Sequence, residues 1–61
     1  MEKEELFINF LNLAALYFRE ESNADFYAGQ LEVTVDELSD TMLELSGWTP
    51  SEWIKEMQRG A

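Results

Sequence analysis

The sequence predicts an all-α domain built from four short helices. Apolar residues recur at helical spacing in four segments, and none of these segments has the strict alternation that is typical of a strand. Two segments begin with the capping-box pattern Thr-x-x-Glu, which marks a helix start, and Gly47 marks a helix end. The predicted helices span about residues 2–19, 24–31, 35–46 and 50–59 of a single domain, residues 1–61.

Length and composition limit the functions that are open to this chain. A chain of 61 residues buries only about 60% of the surface that its unfolded form exposes, so little material is left for a catalytic cleft. Because 46% of the residues are apolar, the chain is nevertheless expected to fold. Cysteine and histidine are absent, which removes thiol nucleophiles, the usual zinc ligands and the commonest general base. We therefore predict a protein that is not an enzyme and that has no metal site and no cofactor.

The charge of the chain is strongly acidic and unevenly distributed. Thirteen acidic and four basic residues give a net charge of −9, and nine acidic residues but no basic one lie between Arg19 and Lys55. Such a surface repels phosphate, which disfavours nucleic acid and membranes as partners. No run approaches the ~18 consecutive apolar residues of a membrane helix, and the acidic start, Met-Glu-Lys-Glu-Glu, has the wrong charge for a secretory signal. A cytoplasmic location is expected.

The first predicted helix, about residues 2–19, presents one broad apolar face. Acidic residues in its first turn suit the positive end of the helix dipole. Ile8 and Leu16 fall outside the apolar face, so they either contact a partner, with self-association as one form of this, or are scattered surface hydrophobes. The broad face comprises Leu6, Phe7, Phe10, Leu11, Leu13, Ala14, Tyr17 and Phe18.

The second predicted helix, about residues 24–31, is short and has Ser22 or Asn23 as its N-cap. Gly29 lies one turn before its end, where it is expected to permit close packing of helices. The inward positions are Phe26, Ala28 and Leu31, with Tyr27 as an equal candidate.

The third predicted helix, about residues 35–46, has the clearest signals. Thr34 and Glu37 form a capping box, in which each side chain accepts from the backbone N–H of the other residue. The predicted buried stripe is Leu38, Met42 and Leu45, and the opposite face carries Asp36, Glu37, Asp40 and Glu44. Because only a short connection separates the second helix from the longer and better capped third, we expect a helix-turn-helix arrangement, although periodicity alone fits an ordinary helical hairpin equally well.

The fourth predicted helix follows a second capping box. Thr49 is the cap and Pro50 occupies the first helical position, where a missing N–H costs nothing. Trp53, Ile54 and Met57 are its predicted inward residues. We expect Trp48 and Trp53 to contribute to the core rather than to bind a ligand, because large aromatic residues beside caps in small domains usually do so.

Three segments together resemble the first of the two helix-turn-helix units in AraC-type transcription regulators. The resemblance covers about residues 22–55 and has continuous spacing. It implies that the helix from Val35 to Ser46 is a DNA recognition helix and that Pro50 begins a linker helix. A second unit is missing, so the chain is expected to be either half of a longer regulator or a free-standing product. The segments are Phe26-Tyr27-Ala28-x-x-Leu31, Thr34-x-x-x-Leu38-Ser39 and Ser46-Gly47-x-x-Pro50-Ser51-Glu52-Trp53-Ile54.

The chain departs from this family where DNA would be contacted. The family usually has proline followed by basic or aromatic residues, of the type T-P-K-Y-L-S-R-x-x-K. This chain has Val35, Asp36, Glu37, Asp40 and Leu43 at the corresponding positions. Holding phosphates requires positive charge or neutral donors, and acidic side chains supply neither.

Two hypotheses follow for the exposed side of the third helix. In the first, it binds a basic protein surface or the remainder of a regulator; in the second, the chain is a DNA-binding half-domain that relies on cations elsewhere. The alternative to both is a solvated helix face without a partner. Carboxylate pairs such as Asp36 with Asp40 offer too few oxygens for a calcium site. The candidate binding residues are Val35, Asp36, Glu37, Ser39, Asp40, Leu43 and Glu44.

Overall fold

Four helices account for most of the computed structural model, which describes residues 2–60. No strand occurs within these residues, so the predicted all-α, four-helix class is confirmed. None of the helices in this range combines the length and the apolar character of a membrane span. The helices are α1 (Lys3–Tyr17), α2 (Ala24–Gln30), α3 (Val35–Ser46) and α4 (Pro50–Gly60).

Helix α1 ends two residues earlier than predicted because the backbone turns after Tyr17. The carbonyl oxygen of Tyr17 accepts from the N–H groups of both Glu20 and Glu21, at 2.9 and 2.8 Å. The Tyr27 hydroxyl then donates to the carbonyl oxygen of Glu21 at 2.6 Å, which fixes the turn against α2. Burial and the nearby negative charge of Glu21 raise the pKa of this phenol.

Helix α2 is closed at both ends by local hydrogen bonds. The Asn23 side chain accepts from the N–H of Asp25 at 2.9 Å and is therefore the N-cap. At the other end, Val33 N–H donates to Ala28 O at 3.0 Å and Glu32 N–H to Gly29 O at 3.2 Å, the pattern of a Schellman motif. Glu32 adopts φ 59°, the left-handed conformation that usually falls to glycine in this motif.

The caps of α3 and α4 differ in completeness. Thr34 Oγ1 accepts from Glu37 N–H at 3.1 Å. Within residues 2–60 the predicted second half of this capping box does not form, because the Glu37 side chain accepts no hydrogen bond from Thr34 N–H. Thr49 and Glu52 form both halves, with Glu52 N–H donating to Thr49 Oγ1 at 3.2 Å and Thr49 N–H donating to Glu52 Oε1 at 2.9 Å. Gly47 ends α3 with φ 79°, and its N–H donates to Leu43 O at 2.9 Å.

The core lies mainly between α1 and α3, which make the most extensive interhelical contact. Phe10 of α1 meets Tyr27 of α2 edge to face, with ring centroids 5.4 Å apart. Tyr27 is thus fully buried and belongs to the inward set of α2. The buried apolar residues are Leu6, Phe10, Ala14, Tyr27, Ala28, Leu38, Met42 and Ile54.

Three packing predictions were wrong. Leu45 is 39% exposed in the last turn of α3, whereas Thr41, one turn earlier, is buried. Tyr17 is 37% exposed at the end of α1, where it packs edge to face on Phe26 at 5.3 Å. Gly29 makes no close packing contact, since a Cβ there would meet no atom within 4 Å.

The two tryptophans join α3 to α4. Trp53 is half-buried and packs edge to face on Phe7 and Trp48, at 6.0 and 5.0 Å. Its Nε1 donates to Ser46 Oγ at 2.9 Å, and Ser46 Oγ donates to Met42 O at 2.7 Å. Trp48 remains 40% exposed, so it contributes less to the core than the sequence predicts.

Candidate functional site

The exposed side of α3 forms a continuous acidic surface. Leu38 and Met42 are fully buried and therefore fix which side of the helix faces inward. Asp36, Asp40 and Leu43 follow one another at steps of four and three residues, so they lie in one row on the opposite side. We call the exposed predicted residues the acidic face, which consists of Asp36, Glu37, Asp40, Leu43 and Glu44.

Two of the predicted site residues border the acidic face instead of belonging to it. Val35 is half-buried and packs against the core. Ser39 is also half-buried, between the acidic face and the buried side of α3. The seven candidates therefore divide into five exposed residues and two at the edge of the surface.

One cation from outside α3 reaches the acidic face. The Lys3 ammonium at the start of α1 forms a hydrogen-bonded ion pair with the Glu44 carboxylate, and both side chains are more than half exposed. The hydrogen bond and the charge of Glu44 raise the pKa of Lys3, and the charge of Asp40 adds to this effect. The ion pair partly neutralises one edge of the acidic face.

Sequence reasoning missed Lys3 because 41 residues separate it from Glu44. Nothing in the local pattern of either helix relates the two side chains. The only available signal was that Lys3 is the sole base among the acidic residues that start the first helix.

The rest of the acidic face is open. Asp36, Glu37 and Asp40 form no ion pair with any residue of the described part of the chain. Leu43 lies among them with 45% of its surface exposed. The surface therefore combines carboxylates that lack cationic partners with one accessible apolar side chain.

A shallow depression of about 330 Å³ lies beside the turn between α3 and α4. Its lining includes Trp48, Glu52, Lys55 and Glu56. Glu52 is already engaged in the cap of α4, and Glu56 accepts from Arg59 at 2.8 Å. Hydrogen bonds from Thr49 lower the pKa of Glu52, which keeps this carboxyl ionised rather than poised for proton transfer.

No metal-binding constellation of three or more carboxylates occurs within residues 2–60. The carboxylates of the acidic face are spread along three turns of α3, at spacings set by the helix. Such an array spreads negative charge over an area rather than forming a coordination sphere at a point.

Comparison with known proteins adds no further likeness: no protein-family model, no curated protein and no solved structure matches the chain. The charge, exposure and pairing of its own residues therefore carry the functional argument.

Proposed function

We propose that the chain is a helix-turn-helix module associated with transcription regulation and that the acidic face of α3 binds a basic protein surface. The observation that carries this proposal is the row of Asp36, Asp40 and Leu43. Two exposed carboxylates without ion pairs and an exposed leucine lie side by side on one helix. A lysine- or arginine-rich surface with an apolar recess is complementary to that row.

Charge favours a basic protein as the partner. Opposite charges steer two proteins together and raise the association rate, while like charges repel wrong partners. The acidic face adds to a net charge of −9, so long-range attraction extends to any strongly basic surface. The affinity is therefore expected to fall as salt rises.

Leu43 gives the proposed interface an apolar contact at one end of the row. Interface cores are depleted in charged residues and depend on a few buried apolar or aromatic anchors. Leu43 is exposed next to Asp40 in the row, so a partner that pairs with Asp40 also covers the leucine. A protein surface can supply a complementary recess beside its cations, whereas DNA lines its grooves with phosphates that repel the carboxylates next to Leu43.

The order of helices supports the helix-turn-helix part of the proposal. Helix α2 is followed by α3 after four residues, Leu31 to Thr34, and the Schellman motif closes this connection. The resemblance to the first unit of AraC-type regulators equates α3 with a recognition helix. It also supports the proposed link to transcription, with the remainder of a regulator as one candidate for the basic partner.

A second candidate function is DNA binding by a half-domain. The same order of helices favours it, and Lys3 supplies one cation beside α3. Asp36 and Asp40 oppose it, because carboxylates facing phosphates would need cations from another part of a longer regulator. The two candidate functions differ in whether a basic protein or DNA binds to α3.

Titration of the labelled chain with a lysine- and leucine-rich amphipathic peptide tests the role of charge. The double variant Asp36→Asn/Asp40→Asn is expected to weaken binding about five- to tenfold, because two solvated ion pairs are lost. The matched control, Glu4→Gln/Glu20→Gln, removes the same charge away from the acidic face and should change the Kd less than about twofold. Equal weakening by both variants would show attraction by net charge alone, without a site.

The same peptide tests the role of Leu43. Leu43→Ala should weaken binding about fivefold, since a buried leucine side chain contributes roughly 1 kcal/mol at such a contact. Leu45→Ala is the matched control, because Leu45 is the same residue type in the same helix with similar exposure but lies on the other side. If the two alanine variants bind equally well, Leu43 has no part in the interface.

A further inference from the structure

The outer face of α1 is uncharged over most of its length. No charged residue occurs from Leu6 to Phe18, although the chain as a whole carries −9. Ile8 is 55% exposed and Leu16 is 75% exposed, the highest values among the large apolar side chains of the described residues. This face bears none of the residues of the acidic face on α3.

The residues of this outer face have a symmetrical order. Ile8 and Leu16 each lie four residues from Asn12, while Glu5 and Arg19 each lie seven residues from it. At 100° per residue the four positions within α1 fall in a band about 80° wide, and Arg19 follows in the turn that ends the helix. An acidic end, two apolar positions and a basic end are thus arranged evenly about Asn12. We call these five positions the α1 stripe.

We propose that the α1 stripe binds a second copy of the chain in an antiparallel, two-fold arrangement centred on Asn12. In this arrangement Ile8 of one copy faces Leu16 of the other. Glu5 faces Arg19 at both ends, because reversal of the helix exchanges the two positions. A two-fold interface uses the same patch on both copies, and the α1 stripe is self-complementary in this sense.

Arg19 is available for this contact. Its guanidinium lies over the Phe18 ring, 5.4 Å from the ring centroid, which holds the charge beside the end of α1. Within residues 2–60 it forms no ion pair. Glu5 is exposed at the other end of the helix. It takes part in neither of the two ion pairs found among the described residues, Lys3–Glu44 and Arg59–Glu56.

A second copy suits the α1 stripe better than a basic partner does. A strongly basic protein gains nothing from a neutral face when the acidic face is accessible. Two copies repel each other through their net charge of −9, and the uncharged face is where they approach with the least repulsion. The pairing of Glu5 with Arg19 then places opposite charges at both ends of the contact.

The proposed dimer is weak and depends on salt in a characteristic way. A helix of 15 residues is about 22 Å long, so one helix pair buries less than the roughly 1,200 Å² of a stable interface. Salt weakens the two short-range Glu5–Arg19 pairs less than it screens the long-range repulsion between two chains of net charge −9, and it therefore strengthens the dimer. Binding of a basic partner to the acidic face weakens with salt, so the two proposals fail independently.

Sedimentation equilibrium of the full chain over a wide concentration range, at low and high salt, is the first test. We expect reversible dimerisation that tightens as salt rises. The dissociation constant of the dimer should increase about tenfold or more in both Ile8→Glu and Leu16→Glu. Circular dichroism should show unchanged helix content, because both side chains are exposed. A chain that stays monomeric at every concentration and salt overturns the proposal.

A charge exchange tests the antiparallel geometry. Glu5→Arg should weaken the dimer about fivefold relative to Glu4→Arg, since both raise the net charge equally but only the first places two arginines together. Arg19→Glu should weaken it similarly, and the double variant Glu5→Arg/Arg19→Glu should restore it. Equal effects of Glu5→Arg and Glu4→Arg, or no restoration in the double variant, would refute this pairing.

Discussion

At the end of α2, two residues carry backbone conformations that suit other residue types better. Gly29 is helical and exposed, although glycine loses more conformational entropy in a helix than alanine does. Three residues later, Glu32 is left-handed with φ 59°, where a side chain with a Cβ is strained. Both positions are therefore open to stabilising substitutions that leave every side-chain contact in place.

Gly29→Ala is expected to raise the free energy of unfolding by about 0.5–1 kcal/mol. A methyl group at this position meets no atom within 4 Å, so the entropic gain is not offset by a clash. Urea unfolding followed by circular dichroism measures the change. A loss of stability would mean that another group packs against Gly29.

Glu32→Gly should also stabilise the protein, by roughly 0.5–1 kcal/mol, because it relieves the left-handed strain. Glu32→Gln serves as the control, since it removes the same charge but keeps a Cβ at φ 59°. The glutamine variant should show less than half of the gain. If the two variants are equally stable, charge rather than backbone conformation limits the stability at this position.

At the scale of the elements, the starts of α3 and α4 were predictable from sequence, whereas the end of α1 and the packing of the helix surfaces were less so. The caps at Thr34 and Thr49 depend on residues three positions apart, which sequence displays directly. Burial depends on which neighbour covers each turn, so periodicity assigned Leu45 to the core and missed Thr41. The acidic face followed from helical spacing, whereas its ion pair with Lys3 required knowledge of how α1 packs on α3.

The second capping box should respond to pH. Hydrogen bonds to Thr49 lower the pKa of Glu52 below its ordinary value of 4.5. A depressed carboxyl pKa stabilises the folded state above about pH 4.5, and this contribution is lost as the pH falls through the folded value. The hydrogen bonds at the start of α4 should therefore weaken only below about pH 4.5.

Carbon-detected titration of the Glu52 carboxyl group measures this effect. Its midpoint should lie below 4.5 in the native chain and should rise part of the way back in Thr49→Val, which loses the hydroxyl but keeps the backbone donor. An unshifted midpoint in the native chain would mean that the capping box is open in solution.

At the scale of the whole molecule, two surfaces differ in charge, and we expect their proposed interactions to respond to salt in opposite ways. The acidic face of α3 carries carboxylates without cationic partners around Leu43, and the proposed binding of a basic protein weakens as salt rises. The α1 stripe is uncharged between its ends, and the proposed dimer strengthens as salt rises. Salt dependence alone therefore distinguishes the two interactions.

The central claim is that α3 presents its acidic face to protein rather than to DNA. The most direct measurement is an amide chemical-shift titration of the labelled chain with random-sequence duplex DNA, first at low salt and then with salt added. If the acidic face repels DNA, the resonances of residues 34–44 do not move under either condition. Shifts in these residues at low salt that reverse as salt is added would contradict the account and identify α3 as a DNA-binding helix.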